Sequence, residues 1–323
     1  MGKNFLTYNQ QMKHLRNQKK ILCEGSDDKK VLCRAGYFNL VNGYKTPFTN
    51  GKDSKGNHIY LPDTSIQHLN DLKEFDDELR ILLLKYITKA EEEIRAFAAY
   101  KFDEANRNGS IAWYQVSAFN VDQDIRRVIG FISKAYAEIG RSKLEYIQFY
   151  MDTHKNIPTW IVTKVINFST FIDFVQYSKM DVKNALCELY GIVDDKGIYD
   201  HKLLIGSLHW MRKVRNVCAH NERLYTIKRD KGRIINMYIN LLPKSYKRES
   251  NQKLIDLLIY LKYYLESADY ECLITNIKDE LTALKEKISI NAFERVRAEM
   301  GIKDISHLDI LLADPKNIEY NKF

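Results

Sequence analysis

Leu72, Phe75, Leu79, Leu82, Leu83, Tyr86, Ala90, Ile94 and Phe97 recur at spacings of three and four. That is the period at which an α-helix returns to the same side. The pattern starts at Leu69 and reaches toward Asn106, which predicts one helix long enough to be the spine of the molecule. Acids interleave with Lys85, Lys89 and Arg95 away from the apolar stripe, so all three cations are expected on a solvated outer face. With 45% apolar residues but only 14 Gly and 5 Pro in 323, the chain reads as a compact helix-rich globule. A β-rich protein would be punctuated by Pro more often.

Shorter periodic segments surround the spine. Helices are expected at Thr7 to Cys23, at 26–34 behind a Ser26-Asp27-Asp28 cap, and at Val121 to Ile139, Lys143 to His154, Pro158 to Tyr177 and Asp181 to Tyr190. Asn50 to Asn57 reads as a loop or hairpin tip. Leu224 to Lys228 and Ile234 to Ile239, joined around Asp230-Lys231-Gly232, read as a β-hairpin. Helices follow at Gln252 to Glu266, Tyr270 to Lys287 and Asn291 to Met300, with Ile305 to Leu312 packing against the last. No repeat of 20 to 50 residues and no convincing linker divides the chain, although Gly109 and Gly140 are the best candidates for a boundary.

Several classes are disfavoured. No stretch approaches the roughly 18 consecutive apolar residues of a membrane span, and the N-terminus has no secretory-type apolar run. A soluble, cytoplasmic protein is therefore expected. Cys23, Cys33, Cys187, Cys218 and Cys272 are odd in number, widely spaced and lack a CxxC pair. They suggest neither a disulfide framework nor a zinc site, but small buried apolar residues in a reducing compartment. The chain has no GxxxxGK[ST] loop, GxGxxG after a strand, GxSxG or HExxH. Asp27-Asp28 and Asp194-Asp195 are adjacent pairs better suited to caps and loops than to a two-metal site. No cofactor is expected.

One segment looks chemical. Taken as a helix, Asp200 to Tyr225 collects Leu204, Leu208, Met211, Val214, Val217 and Cys218 on one arc and His209, Arg212, Lys213, Asn216, His220 and Arg223 on the other. Arg215 joins neither group cleanly. It falls about 140° from His220 on an ideal helix, beside Leu208 and Cys218, where an unpaired guanidinium is costly. Two readings stay open: a buried ion-pair partner, or a residue bordering a cleft or subunit interface that His220 also lines. Between Arg212 and Arg233 there are eight cations (Arg212, Lys213, Arg215, Arg223, Lys228, Arg229, Lys231 and Arg233) against Glu222 and Asp230. They concentrate the net charge of +8 and permit a polyanionic partner, although a solvated basic face has the same composition. An Arg near a His suits phosphodiester chemistry, with the guanidinium on non-bridging oxygens and an imidazole moving protons near neutrality.

The stretch Trp210 to Tyr225, with Arg215-Asn216-Val217-Cys218-Ala219-His220 at its centre, resembles the LRNxCAHxxRL segment of Abi-like proteins, bacterial abortive-infection proteins of the AbiD/AbiF type. Tyr37 to Tyr44 is similar to their aromatic-glycine motif, Phe75-Asp76-Asp77-Glu78-Leu79-Arg80 to their FDxxLR helix start, and Pro158 to Ser169 to their PxWxxxExxSFG segment. Lys164 stands where that segment has Glu and Ser169 where it has Gly, so no catalytic role is assigned there.

The resemblance implies an all-α, HEPN-like helical bundle. Its core would span about 69–225, with an N-terminal region at 1–68 and the hairpin and further helices at 226–323, all in a single unit. It also implies a metal-independent endoribonuclease site formed when two units pair as a homodimer. Arg215 would bind the scissile phosphate, His220 would act as general acid or base, and Asn216 would orient one or the other. Arg212, Lys213, Arg223, Lys228, Arg229, Lys231 and Arg233 would hold the RNA. A non-catalytic scaffold holding a small noncoding RNA and a helical protein-interaction module are the rival readings. Tyr37, Phe38, Tyr44 and Tyr60 are either base-stacking or core aromatics.

Overall fold

A computed structural model describes residues 5–120, 122, 124–194, 196–229 and 252–312. Thirteen α-helices run in order among them: α1 Tyr8–Lys19, α2 Gly25–Ala35, α3 Ile66–Ala105, α4 Ile125–Arg141, α5 Glu145–Phe149, α6 Thr159–Val165, α7 Phe168–Tyr177, α8 Met180–Tyr190, α9 His201–Ala219, α10 Leu254–Tyr264, α11 Ser267–Lys287, α12 Ile290–Met300 and α13 His307–Leu312. A two-stranded antiparallel hairpin, β1 Thr49–Lys52 and β2 His58–Tyr60, is inserted before α3.

The predicted spine is α3, forty residues long and about 60 Å from end to end at 1.5 Å per residue. Ser65 starts it: the hydroxyl accepts the His68 N–H at 3.1 Å, while the His68 ring accepts the Ser65 N–H at 3.4 Å. That reciprocal box satisfies two of the otherwise orphaned donors at the first turn. Leu69, Leu72, Phe75, Leu79, Leu83, Tyr86, Ala90 and Ile94 are buried, and α2, α6, α8, α9 and α11 pack around the helix. The hydrophobic stripe therefore organises one continuous core. At its C-terminal end Phe102, Phe119 and Phe174 cluster with ring centroids 4.7 to 6.3 Å apart.

Several expectations are corrected by local chemistry. Arg95 leaves the solvated face: its side chain keeps only 11% of its surface exposed, because Glu91 and two backbone carbonyls receive the guanidinium. Pro158 to Tyr177 is two helices. Ile166 is extended at ψ 144°, and the Asn167 side chain accepts the Thr170 N–H at 3.0 Å to start α7 afresh. Pro158 sits at the cap position of α6, ahead of its first turn. Lys143 to His154 becomes the short α5 followed by a π-helical turn at Tyr150–His154.

The hairpin forms at the predicted Asn50 to Asn57 tip, where the Asp53 carboxylate accepts the N–H groups of Lys55 and Asn57. Leu224 to Lys228, expected as a strand, is a turn, since the Leu224 and Tyr225 N–H groups are drawn to a side chain of α3 described below and the Ile227 N–H turns back to the Leu224 carbonyl. The remainder of that expected hairpin lies outside the described residues. Among the cysteines, Cys23, Cys187 and Cys218 are buried as expected, whereas Cys33 and Cys272 are exposed. No helix among the described residues is long and apolar enough to cross a membrane.

Candidate functional site

The segment that looked chemical forms α9 and the turn after it. Asp200 caps the helix through the Leu203 N–H at 2.9 Å, and Leu203, Leu204, Leu208, Met211, Val214 and Cys218 face the core. The helix ends at Ala219 rather than continuing to Tyr225. Asn221 adopts the left-handed region at φ 56°, its N–H reaching Cys218 O at 3.2 Å and the Glu222 N–H reaching Val217 O at 3.0 Å. This pair of bonds is the Schellman closure, for which Asn is the usual substitute for Gly. His220 is thus the residue at the helix end, exposed, with its N–H on Asn216 O at 2.9 Å. Arg215 lies about 1.4 turns earlier. Five residues of regular helix separate the two by about 140° around the axis and about 7.5 Å along it.

Two buried charged clusters on α3 hold this end of α9. Asp76 is fully buried and Arg80 nearly so, four residues apart and bonded at 2.6 Å. The carboxylate also accepts the Tyr44 hydroxyl at 2.9 Å, the Tyr225 N–H at 2.8 Å and the Leu224 N–H at 3.1 Å. Arg80 donates in addition to Asp77 and to the Glu222 carbonyl. Burial pushes the Asp76 carboxyl up from its ordinary range, and the guanidinium and the convergent donors pull it back. Such a network is worth having only when every member is paired, and here the aromatic-glycine, FDxxLR and post-His220 segments all depend on it. Arg223 extends it, donating to the Gly43 carbonyl and lying 5.8 Å over the Tyr225 ring.

The second cluster joins Glu91, Arg95 and Arg215. Arg95 donates to Glu91 Oε1 at 2.7 and 3.0 Å and to the carbonyls of Thr163 and Ile166, and its guanidinium lies 4.8 Å over Phe171. Glu91 Oε2 faces Arg215 Nε at 3.6 Å. Both sequence readings of Arg215 are therefore partly met: it has a buried carboxylate partner, yet keeps 38% of its side-chain surface open. Arg215 and His220 are both reachable from solvent, on different sides of one helix end, with Asn216 half-buried between them.

The remaining basic residues divide into groups. Lys213 donates to Lys228 O at 2.7 Å, Lys228 pairs with Glu299 at 2.8 Å, and Arg229 donates to Gly206 O at 2.8 Å, so these three gather beside α9 and α12. The Lys228–Glu299 pair is half-exposed on both sides and contributes at most about 1 kcal/mol. Arg212 is half-buried on the α7 side, where it and Lys134 pull against the burial that raises the Asp173 carboxyl. Arg223 stands apart on the Gly43 side. Lys231 and Arg233 lie outside the described residues. Of the aromatics, Tyr44 and Tyr60 are core, Tyr37 is half-buried and Phe38 is 74% exposed.

A mostly helical protein in which one long helix anchors an Arg-Asn-x-x-x-His helix end through two buried ion-pair clusters is the class this geometry defines. The chain belongs to the Abi-like protein family, whose profile matches residues 30–226 and so spans all four of the segments brought together here. No curated protein and no solved structure gives a significant match to the chain.

Proposed function

We propose that this protein acts in abortive-infection defence as an RNA-binding, metal-independent endoribonuclease of the HEPN type, working as a homodimer. One observation carries the reading: two buried charged clusters fix the α9 end, while Arg215 and His220, on different sides of it, remain open to solvent. Rigid support beneath an accessible polar pair is what preorganised chemistry requires. Within one chain the two side chains point to different sides of the helix. Two copies packed along α9 would bring the Arg215 of one against the His220 of the other, closing a composite cleft about a two-fold axis.

In that cleft Arg215 would neutralise the non-bridging oxygens of a phosphodiester. His220 would take the proton from the ribose 2′-hydroxyl or give one to the departing 5′-oxygen. The 2′-oxygen attacks its own phosphorus and the P–O5′ bond breaks, leaving a 2′,3′-cyclic phosphate and a 5′-hydroxyl. DNA, lacking the 2′-hydroxyl, would be inert. Lys213, Lys228 and Arg229 on one side and Arg223 on the other would hold the flanking backbone, a screening-sensitive contribution.

The Arg215–Glu91 ion pair favours a second reading, in which the same surface holds a small RNA without cutting it. RNA recovered with the purified protein, its binding measured across salt and its integrity compared between wild type and H220A, tests both. Loss of cleavage with binding retained in H220A supports catalysis. Binding without cleavage in both proteins supports the scaffold, and absence of RNA binding removes both readings.

A further inference from the structure

A second candidate ligand site lies away from α9. Trp113, Tyr114, Tyr136, Ile139, Gly140, Met151, Lys155, Asn156 and Ile157 enclose a cleft of about 410 Å³, within the size range of small-molecule sites. Three of its walls are aromatic. The rings of Trp113 and Tyr136 lie 4.8 Å apart, and those of Tyr114 and Tyr136 6.2 Å. Trp113 is buried and held by its indole N–H on Ile157 O at 2.8 Å, so its ring is fixed. Tyr114 and Tyr136 stay 41% and 48% exposed. Half-exposed aromatics beside a rigid one form a stacking platform rather than a closed core.

The polar part of the lining is cationic and amide, with no acid. Lys155 stands at φ 53° directly after the π-helical turn Tyr150–His154, a backbone state that costs free energy and recurs at functional positions. Its exposed ammonium takes part in no ion pair among the described residues. The Asn156 amide likewise has no hydrogen-bond partner there. Outside the lining, Glu138 and Asp152 are the acids closest in sequence; Glu138 is held by Asn167 and Thr170 of the α7 start, which leaves Asp152 beside the mouth.

We infer that this cleft binds a nucleobase carrying a phosphate: the base stacks against Tyr136 and Tyr114, which the buried Trp113 braces, the Asn156 amide meets its hydrogen-bonding edge, and Lys155 meets the phosphate. A purely apolar partner would make no use of the ammonium and the amide. The two sources of this chemistry are a free nucleotide and an unpaired base of a bound RNA strand, and the second rests on the RNA reading above.

Gly140 supplies the test. It lines the cleft, has ordinary helical geometry, and a Cβ built there meets nothing within 4 Å. G140F is therefore accommodated at its Cβ while its ring occupies space at the cleft, and a cooperative melting transition like that of wild type checks that it folds. AMP, UMP and a single-stranded oligoribonucleotide are titrated calorimetrically into both proteins, with Y136A as a second variant. The proposal expects at least one ligand type to lose about tenfold or more in affinity in both variants. Loss for the mononucleotides assigns a free-nucleotide site, and loss for the oligonucleotide alone assigns an RNA-base site. Oligonucleotide binding unchanged by either variant, with no mononucleotide bound, overturns the cleft while leaving the RNA reading intact. Mononucleotide binding blocked by G140F, with no RNA bound, does the reverse. Absence of binding by any of the three ligands overturns the cleft as well.

Discussion

Removing the Asp76 carboxylate should cost the protein about 3–5 kcal/mol, the range for breaking a buried ion pair by deleting one partner. The figure follows from what Asp76→Ala leaves behind. Arg80, 5% exposed, loses the carboxylate bonded to it at 2.6 Å, and keeps Asp77 and the Glu222 carbonyl among the described residues. The Leu224 and Tyr225 N–H groups and the Tyr44 hydroxyl lose their acceptor too, each a buried donor whose desolvation costs about 1–3 kcal/mol. Tyr44→Phe removes a single donor and should cost about 1–2 kcal/mol. Arg80→Met leaves the carboxylate three donors, so it should cost less than Asp76→Ala. The double variant should cost less than the two singles together by about 1–3 kcal/mol, because the second substitution removes a group already orphaned. Urea unfolding gives these values, and amide exchange at Leu224 and Tyr225 reports the local effect, with protection falling first at these two residues. A loss below about 1 kcal/mol for Asp76→Ala, or single costs that simply add, would refute the view that this carboxylate organises the segment after His220.

Neutralising Glu91 leaves Arg95 and Arg215 facing an uncharged group, so E91Q should lower stability by about 2–4 kcal/mol. R215A, removing a side chain that is 38% exposed, should lower it by less than half as much in the same melting experiment. Burial pushes the Cys23 thiol up to about 11 and the Cys187 and Cys218 thiols up to about 12. A raised thiol value keeps the unreactive protonated form, so at pH 8 the thiolate fraction at these three is on the order of 0.1% or less. Iodoacetamide at pH 8 followed by mass spectrometry should mark Cys33 and Cys272 in the folded protein and all five only after denaturation; rapid marking of Cys218 contradicts its burial. Gly301 closes α12 at φ 81°, and a Cβ there would meet Ile255 Cγ2 at 2.7 Å. G301A should therefore cost about 2–4 kcal/mol, strain and overpacking together, against about 1 kcal/mol for G56A at a similar φ in open space.

The fold is legible in the sequence where periodicity decides the outcome. The apolar stripe of α3 was legible because packing on one face leaves a three-four signature, and the Ser65 and Asn167 caps are visible once the helix starts are known. The split of Pro158 to Tyr177 leaves no periodic signal because both halves are apolar and helical; the extended Ile166, the Asn167 N–H on Glu138 and the Asn167 cap on Thr170 make the chain restart. The burial of Arg95 is not legible, because cation spacing alone does not report carbonyls arriving from the α6 end. A signal for the first cluster did exist. Asp76 falls between Leu69 and Leu83 on the helical wheel, inside the apolar arc, where a carboxylate implies buried partners. Those partners, Tyr44 and the Leu224 and Tyr225 N–H groups, lie 32 and nearly 150 residues away, beyond the reach of any local pattern. Arg215 and His220 were legible as an unusual pair, whereas the Glu91 partner of Arg215 required the antiparallel packing of α9 on α3.

The decisive measurement is end-group analysis of RNA incubated with the purified protein in EDTA, comparing wild type with R215A and H220A. Wild type should yield fragments ending in 2′,3′-cyclic phosphate and beginning with 5′-hydroxyl, and each variant should lose at least about a hundredfold in rate, the scale of a general acid–base contribution for His220 and of charge stabilisation for Arg215. Mixing the two variants should restore part of the activity if one subunit supplies the guanidinium and the other the imidazole. Fragments of the same kind produced at an undiminished rate by H220A would contradict the assignment of RNA cleavage to this helix end.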